Sequence, residues 1–197
     1  MSRPRRSDAV QNDTRILQAA ARVLAEDPRA TIQRVADEAG VARLTVYRRY
    51  RDRQALRRAI FETAAAEAAA ALVDDGAPDA DVVTLLRALV VEMAAIAVRY
   101  PLLLVGTDLQ PLPTDTRRPR TPPASVAMQR RFLALVRRGQ ESGQLRADLP
   151  AELFPQAVAG TLRITLRFAR SLHTDPGTLG EQVAELLLAG FTPRSPR

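Results

Sequence analysis

Within the stretch from Arg43 to Arg49 stand Arg43, Thr45, Arg48 and Arg49, interleaved with Leu44, Val46 and Tyr47. Groups of this kind break no bonds. A guanidinium fork donates two parallel hydrogen bonds, which suits a base edge or a phosphate, while the interleaved apolar residues can seat the segment on a core. The ingredients of catalysis are scarce by comparison. The chain has no cysteine to act as nucleophile or thiolate ligand and no glycine-rich phosphate loop. Its single histidine, His173, builds no metal site alone. The sequence is therefore expected to bind rather than catalyse, with no catalytic residue, metal or cofactor.

What precedes those arginines gives them a position. Ala36 stands four residues before Gly40, and Val46 six after it. Two helices crossing steeply need a small side chain at the crossing, which Ala36 supplies. The tight turn between them needs a residue that accepts a positive φ, which Gly40 supplies. Val46, with Val41 and Val35, would lock the second helix down. Arg43, Thr45, Arg48 and Arg49 then point outward, where a major groove can be read. An ordinary helical hairpin also places alanine and glycine four apart, so spacing alone leaves that alternative open. Charge narrows it. Residues 1–60 hold 14 arginines against seven acidic residues, a net of +7, and the other 137 residues are neutral overall. A basic third on a neutral body is the footprint of something that meets phosphates; a merely solvated arginine surface is the alternative on charge alone.

The elements that must hold these residues are helices, and no convincing strand is found. Ile16, Leu17, Ala20, Val23 and Leu24 fall at helical spacing and predict a first helix over 14–25, ended by Pro28. Thr31 is a good N-cap for a second over 32–38, whose inner face is Ile32, Val35, Ala36 and Ala39. A third runs from Arg43 to Tyr50. Asp52 caps a fourth that continues through the alanine-rich stretch to Leu72 as a rigid connector. Gly76 and Pro78 mark a linker at 74–81. Further helices are expected over 82–99, from Pro101 to near Leu109, over 124–140, from Pro150 to Leu172 and over 179–191. The stretch 110–123, with five prolines and three arginines, reads as a surface loop. No run of eighteen apolar residues offers a membrane span, and the arginine-rich N-terminus lacks a secretory signal's apolar core. A cytoplasmic, nucleoid-associated protein is expected.

The run from Thr31 to Tyr50, TIQRVADEAGVARLTVYRRY, followed by Asp52-Arg53-Gln54-Ala55-Leu56, closely resembles the signature of the TetR, or tetracycline-repressor-like, family over residues 13–60. The resemblance implies an all-α fold of about nine helices. An N-terminal three-helix helix-turn-helix domain (1–60, with a flexible arm at 1–12) would precede a helical effector-binding and dimerisation domain (61–197). It further implies a homodimer on a palindromic double-stranded operator, and repression relieved by a small molecule. A transcriptional activator of the same fold is the alternative. A basic helical protein lying on a membrane surface is the rival from another class, against which the helix-turn-helix spacing argues.

Carried over position by position, the resemblance gives Thr45 and Tyr47 phosphate contacts. Thr31 would present the backbone N–H groups of helix 2 to a phosphate, and Arg53 would meet the backbone from the start of helix 4. Arg43 and Leu44, with Arg49 farther along, are the base-reading candidates, and Arg48 shares their helix. Tyr47 has a competing role as a packed aromatic, and Tyr50 reads as core. Ala42 stands where the family usually has a hydroxyl, so the recognition helix should lack a cap contributing about 1 kcal/mol. Arg3, Arg5 and Arg6 could reach a minor groove as a flexible arm or simply be a solvated tail. In the body, Met93, Tyr100, Thr107, Met128, Phe132, Thr165 and Phe168 are candidates to line a cavity for a largely apolar effector, each with ordinary core packing as the alternative. The helix after Glu152 is apolar on two sides and must be covered on both. The resemblance places Gly160, Arg163, Arg167, Val183 and Leu187 at a dimer contact, with Arg170 on the face of Arg163 and Arg167; packing within one subunit is the alternative.

Overall fold

A computed structural model describes residues 6–72, 81–105, 123–169 and 175–193. Among them the chain is all α-helical: α1 (Arg6–Glu26), α2 (Ile32–Ala39), α3 (Arg43–Arg49), α4 (Arg53–Ala71), α5 (Val82–Arg99), a short 3-10 helix (Pro101–Leu104), α6 (Pro123–Glu141), α7 (Leu153–Arg167) and α8 (Pro176–Phe191). None is long and apolar enough to cross a membrane. The expected linker at 74–81 (but for Asp81), most of the proline-rich loop, Arg3, Arg5, Thr107, Arg170 and His173 lie outside the described residues.

The first three helices form a small unit because each has one apolar stripe and two neighbours to cover it. Ile16, Ala20, Val23 and Leu24 of α1 meet Ile32, Val35, Ala36 and Ala39 of α2, and Val46 of α3 closes the cluster. Gly40 ends α2 at φ +65°. Its N–H donates to the Asp37 carbonyl (3.1 Å), and that of Val41 to Ala36 (3.0 Å), the paired closure of a Schellman turn. A Cβ at Gly40 would also come within 3.3 Å of the Arg15 guanidinium, which itself donates to the Ala39 carbonyl (3.1 Å).

Three expectations of extent are corrected. α1 begins at Arg6, not Thr14, so 6–12 are helical rather than a flexible arm; they are mostly polar and carry no apolar period to announce it. α7 begins at Leu153, not Pro150, because Pro150 and Ala151 spend their carbonyls on tight turns to the N–H groups of Leu153 and Phe154. α8 also starts earlier than expected, at Pro176, with Asp175 accepting from Thr178 N–H (3.0 Å).

In the body, α5 and α8 pack closely enough that a Cβ on Gly180 would reach 2.8 Å from that of Ala94. α4 is capped at both ends by side chains. Asp52 accepts from the Ala55 N–H (2.7 Å), and Arg131 of α6 donates to the carbonyls of Ala69 (2.7 Å) and Leu72 (3.1 Å) at the other end. The Tyr100 hydroxyl, wholly buried, donates to Glu67 (2.7 Å), which Arg99 also grips (3.0 Å); burial first, then Glu67, pushes the phenol's pKa up. The 3-10 helix packs against α1 below and α7 beside it, so it touches both the N-terminal unit and the body.

Candidate nucleic-acid interface and internal pocket

α3 buries only Val46, and its remaining side chains are left for solvent or a partner. Leu44 is 61% exposed. Arg43 and Tyr47, one turn apart, form a unit. The guanidinium sits 5.1 Å over the phenol ring and donates to its hydroxyl at 3.3 Å. Tyr47 is therefore an exposed partner of Arg43 and not a packed aromatic. Arg48 is exposed and Thr45 half-buried. Ala42 offers α3 no side-chain cap, as its side chain dictates.

Arg43 and Tyr47 also rim a concavity of about 470 Å³ between α2, α3 and the start of α4. Arg29, Arg43, Arg51 and Arg53 stand around it with Thr31, Tyr47 and a single carboxylate, Asp52. That carboxylate is engaged as the cap of α4. Thr31 caps α2 by accepting from the Arg34 N–H (3.2 Å). Two helix N-termini and four guanidinium groups thus converge on one hollow, an arrangement suited to phosphate oxygens. Arg29 was not among the expected phosphate contacts. Arg29 lies in the loop between α1 and α2, and nothing in its local sequence separates it from other surface arginines.

Arg49 is placed differently from the other base-reading candidates. Its guanidinium pairs with Asp13 of α1 (2.8 Å), and the same carboxylate oxygen accepts from the Tyr50 hydroxyl (2.7 Å). Arg49 thereby ties the end of α3 to α1. Tyr50 is buried, as read from the sequence, and burial followed by Asp13 raises its pKa. Arg57, one turn after Arg53, is buried, with one nitrogen on the Pro28 carbonyl (3.3 Å); burial, then Arg53, lowers its pKa.

The body holds a second hollow, of about 430 Å³, between α4, α5, the 3-10 helix, α6 and α7. Met93, Met128 and Phe132 line it as expected. Tyr100 does not: it is buried against Glu67 outside the cavity wall. Thr165 is also off the wall, and Phe168, 55% exposed, points away. One wall is the alanine stretch of α4, Ala64, Ala65 and Ala68, whose short side chains make the room. Ser125, Gln129, Gln156 and Arg163 are its polar residues, none of them foreseen for this role.

The expected dimer residues are divided likewise. Val183 and Leu187 are buried within the chain and Arg163 lines the pocket, whereas Arg167 is exposed. Gly160 faces open space, with no atom within 4 Å of where a Cβ would lie. Beside it on α7 stand exposed Leu153, Ile164 and Phe168, and α8 adds Leu186, 68% exposed.

Residues 16–60 match the family model of the bacterial regulatory proteins, tetR family. No curated protein matches the chain. Among solved structures, the fold is similar to a TetR family transcription regulator from Marinobacter aquaeolei VT8 (TM-score 0.69, 17% identity, 96% of this chain and 100% of that one). It is also similar to the TetR family regulator PfmR from Thermus thermophilus (0.64, 21%, 88% and 97%). A third likeness is to the transcriptional regulator FadR from Bacillus subtilis, solved in complex with stearoyl-CoA (0.63, 20%, 89% and 97%).

Proposed function

We propose that this chain, whose residues 16–60 belong to the bacterial regulatory proteins of the tetR family, is a repressor that grips a palindromic operator as a homodimer and releases it when a small, largely apolar molecule enters the pocket between α4 and α7. The observation that carries the DNA-binding part is the basic hollow beside the exposed face of α3. Arg43 and Leu44 lie at the start of α3, where a recognition helix meets base edges, and Arg29, Arg51, Arg53 and Thr31 surround the place a phosphate would take. Arg43 stacked on Tyr47 is held ready for a guanine edge, and Leu44 offers an apolar contact to a thymine methyl. Thr45 and Tyr47 face the flanking phosphate, and Arg48 adds positive charge to the same face.

Two features of the body support the rest. The exposed apolar band of Leu153, Ile164, Phe168 and Leu186 beside Gly160 is a face that a second copy would cover. The pocket shares Leu103 and Leu104 with the 3-10 helix that packs on α1, so a molecule that displaces them also bears on the DNA-binding unit. α4, continuous across the expected domain boundary at residue 60, is the second such link. FadR's stearoyl-CoA complex is one instance of this fold holding an amphipathic molecule.

The test is to sequence genomic fragments retained by the protein. Retained fragments should share an inverted repeat whose half-sites lie about 34–36 Å apart or a multiple of that. Retention without sequence preference would refute the operator reading.

A further inference from the structure

The pocket's walls are apolar apart from Ser125 and Gln129 on α6 and Gln156 and Arg163 on α7. The register of these helices brings three of the four together. Arg137 of α6 pairs with Glu152 at the start of α7 (2.9 Å), so the helices run antiparallel from that point. Ser125 and Gln129 lie 12 and eight residues before Arg137, and Arg163 lies 11 after Glu152. At about 1.5 Å per residue Ser125 is therefore level with Arg163 and Gln129 about one turn nearer the ion pair, while Gln156 sits about 10 Å closer to the start of α7 than Arg163 does. Gln129 is exposed, Ser125 and Arg163 are half-buried, and Met128, Phe132 and Ile96 are buried behind them. The polar groups thus collect at one end of the mouth and the apolar groups form the floor.

The charge is one-sided. No acidic residue lines the pocket, and Arg163 has neither ion pair nor hydrogen bond among the described residues, whereas Arg137, Arg99 and Arg146 nearby in the body are each paired with a carboxylate. A guanidinium offers five donors and cannot shed its charge, so one turned toward an apolar cavity leaves a vacancy for an anionic acceptor. Gln129 and Ser125 can donate to the same group.

We propose that the effector is an organic anion, a carboxylate on an apolar body, with the carboxylate held by Arg163, Gln129 and Ser125 and the body lying over Phe132, Met128 and the alanines of α4. This deepens the ligand-sensor reading above and rests on it. The acid itself is the ligand rather than its coenzyme A thioester. In the thioester the anionic groups are the nucleotide phosphates, a pantetheine arm away from the acyl chain rather than at its head, and a cavity of about 430 Å³ is small beside a nucleotide-bearing carrier.

The full-length protein should be titrated calorimetrically with octanoate, decanoate and dodecanoate, with the matching alcohols, with decylamine and with decanoyl coenzyme A. The acids should bind about ten- to a hundredfold more tightly than the alcohols, with the amine and thioester weaker still. Arg163→Gln should erase the preference for acid while leaving alcohol affinity unchanged. Arg163→Lys should keep part of it, and Arg167→Gln, on the exposed face, all of it. Equal affinity for acid and alcohol, an undiminished preference in Arg163→Gln, tighter binding of the thioester, or no binding by any acid would each overturn the proposal. A parallel measurement of operator release separates the two readings. Alcohols that bind as tightly as acids and still release DNA would sink the carboxylate and spare the sensor, whereas acids that bind as expected without releasing DNA would sink the sensor.

Discussion

Arg43, Arg49 and Arg53 lie within one short stretch of sequence, and the structure gives each a different task. Arg43 rides on Tyr47 and projects from the start of α3, Arg53 stands at the first turn of α4 beside the basic hollow, and Arg49 turns back to Asp13. Arg43→Ala should cost about 1–3 kcal/mol on the preferred operator and relax choice at one base position. Arg53→Ala should weaken all DNA alike and reduce the slope of affinity against salt by about one phosphate's worth. Fluorescence anisotropy on operator and scrambled duplexes over a salt series checks both. If Arg43→Ala lowers the two affinities equally, it reads no base. The sequence identified α3 and its exposed residues because a crossing alanine, a turn glycine and a locking valine have fixed spacing. It did not separate Arg49 from Arg43, since that difference depends on Asp13, 36 residues earlier and on another helix.

At the scale of elements, boundaries were legible at several caps but not at Asp175, which opens α8 three residues before the expected start. Thr31, Asp52 and Asp81 each accept an N–H three residues on, and the helices begin beside them. What periodicity could not supply was the partner of each stripe. α8 is apolar on more than one side, and the side carrying Val183 and Leu187 is spent inside the chain, leaving Leu186 outward. α7 behaves likewise: Phe154, Val158, Leu162 and Leu166 go in, while Leu153, Ile164 and Phe168 remain out. One wall of the pocket was hidden for a related reason, since a wall of alanines is defined by side chains that are short. Ile164→Glu, set in the exposed band, should yield a folded monomer with weakened operator binding. Sedimentation velocity with circular dichroism tests this, and an unmodified chain that sediments as a monomer at micromolar concentration would remove the dimer from the proposal.

On the scale of the whole molecule, the basic hollow stands at the first turn of α4 and the pocket along residues 61–68 of the same helix, and any ligand effect must travel between them. Release requires that the ligand bind the DNA-incompetent arrangement more tightly than the competent one; equal affinity shifts nothing. A coupling of about 1–3 kcal/mol would weaken operator binding about 5–150-fold, and operator must weaken ligand binding by the same factor. Titrating a binding acid with and without operator measures both arms of that cycle. If neither arm changes, ligand and operator bind independently and the release reading fails. The double capping of α4 sets the mechanical terms of this exchange. With 19 residues it is a rod about 28 Å long, fastened at its far end by Arg131 and closed at the near end by Asp52. A rod fixed in this way cannot take up strain by fraying. A tilt of about 5° at the pocket then carries the DNA-facing end through about 2.5 Å, close to half the pitch of an α-helix and enough to pull Arg43 off a base edge. In the proposed mechanism Arg131 would act as the fulcrum of a lever. Loosening it would leave ligand and DNA each able to bind, with neither able to report on the other.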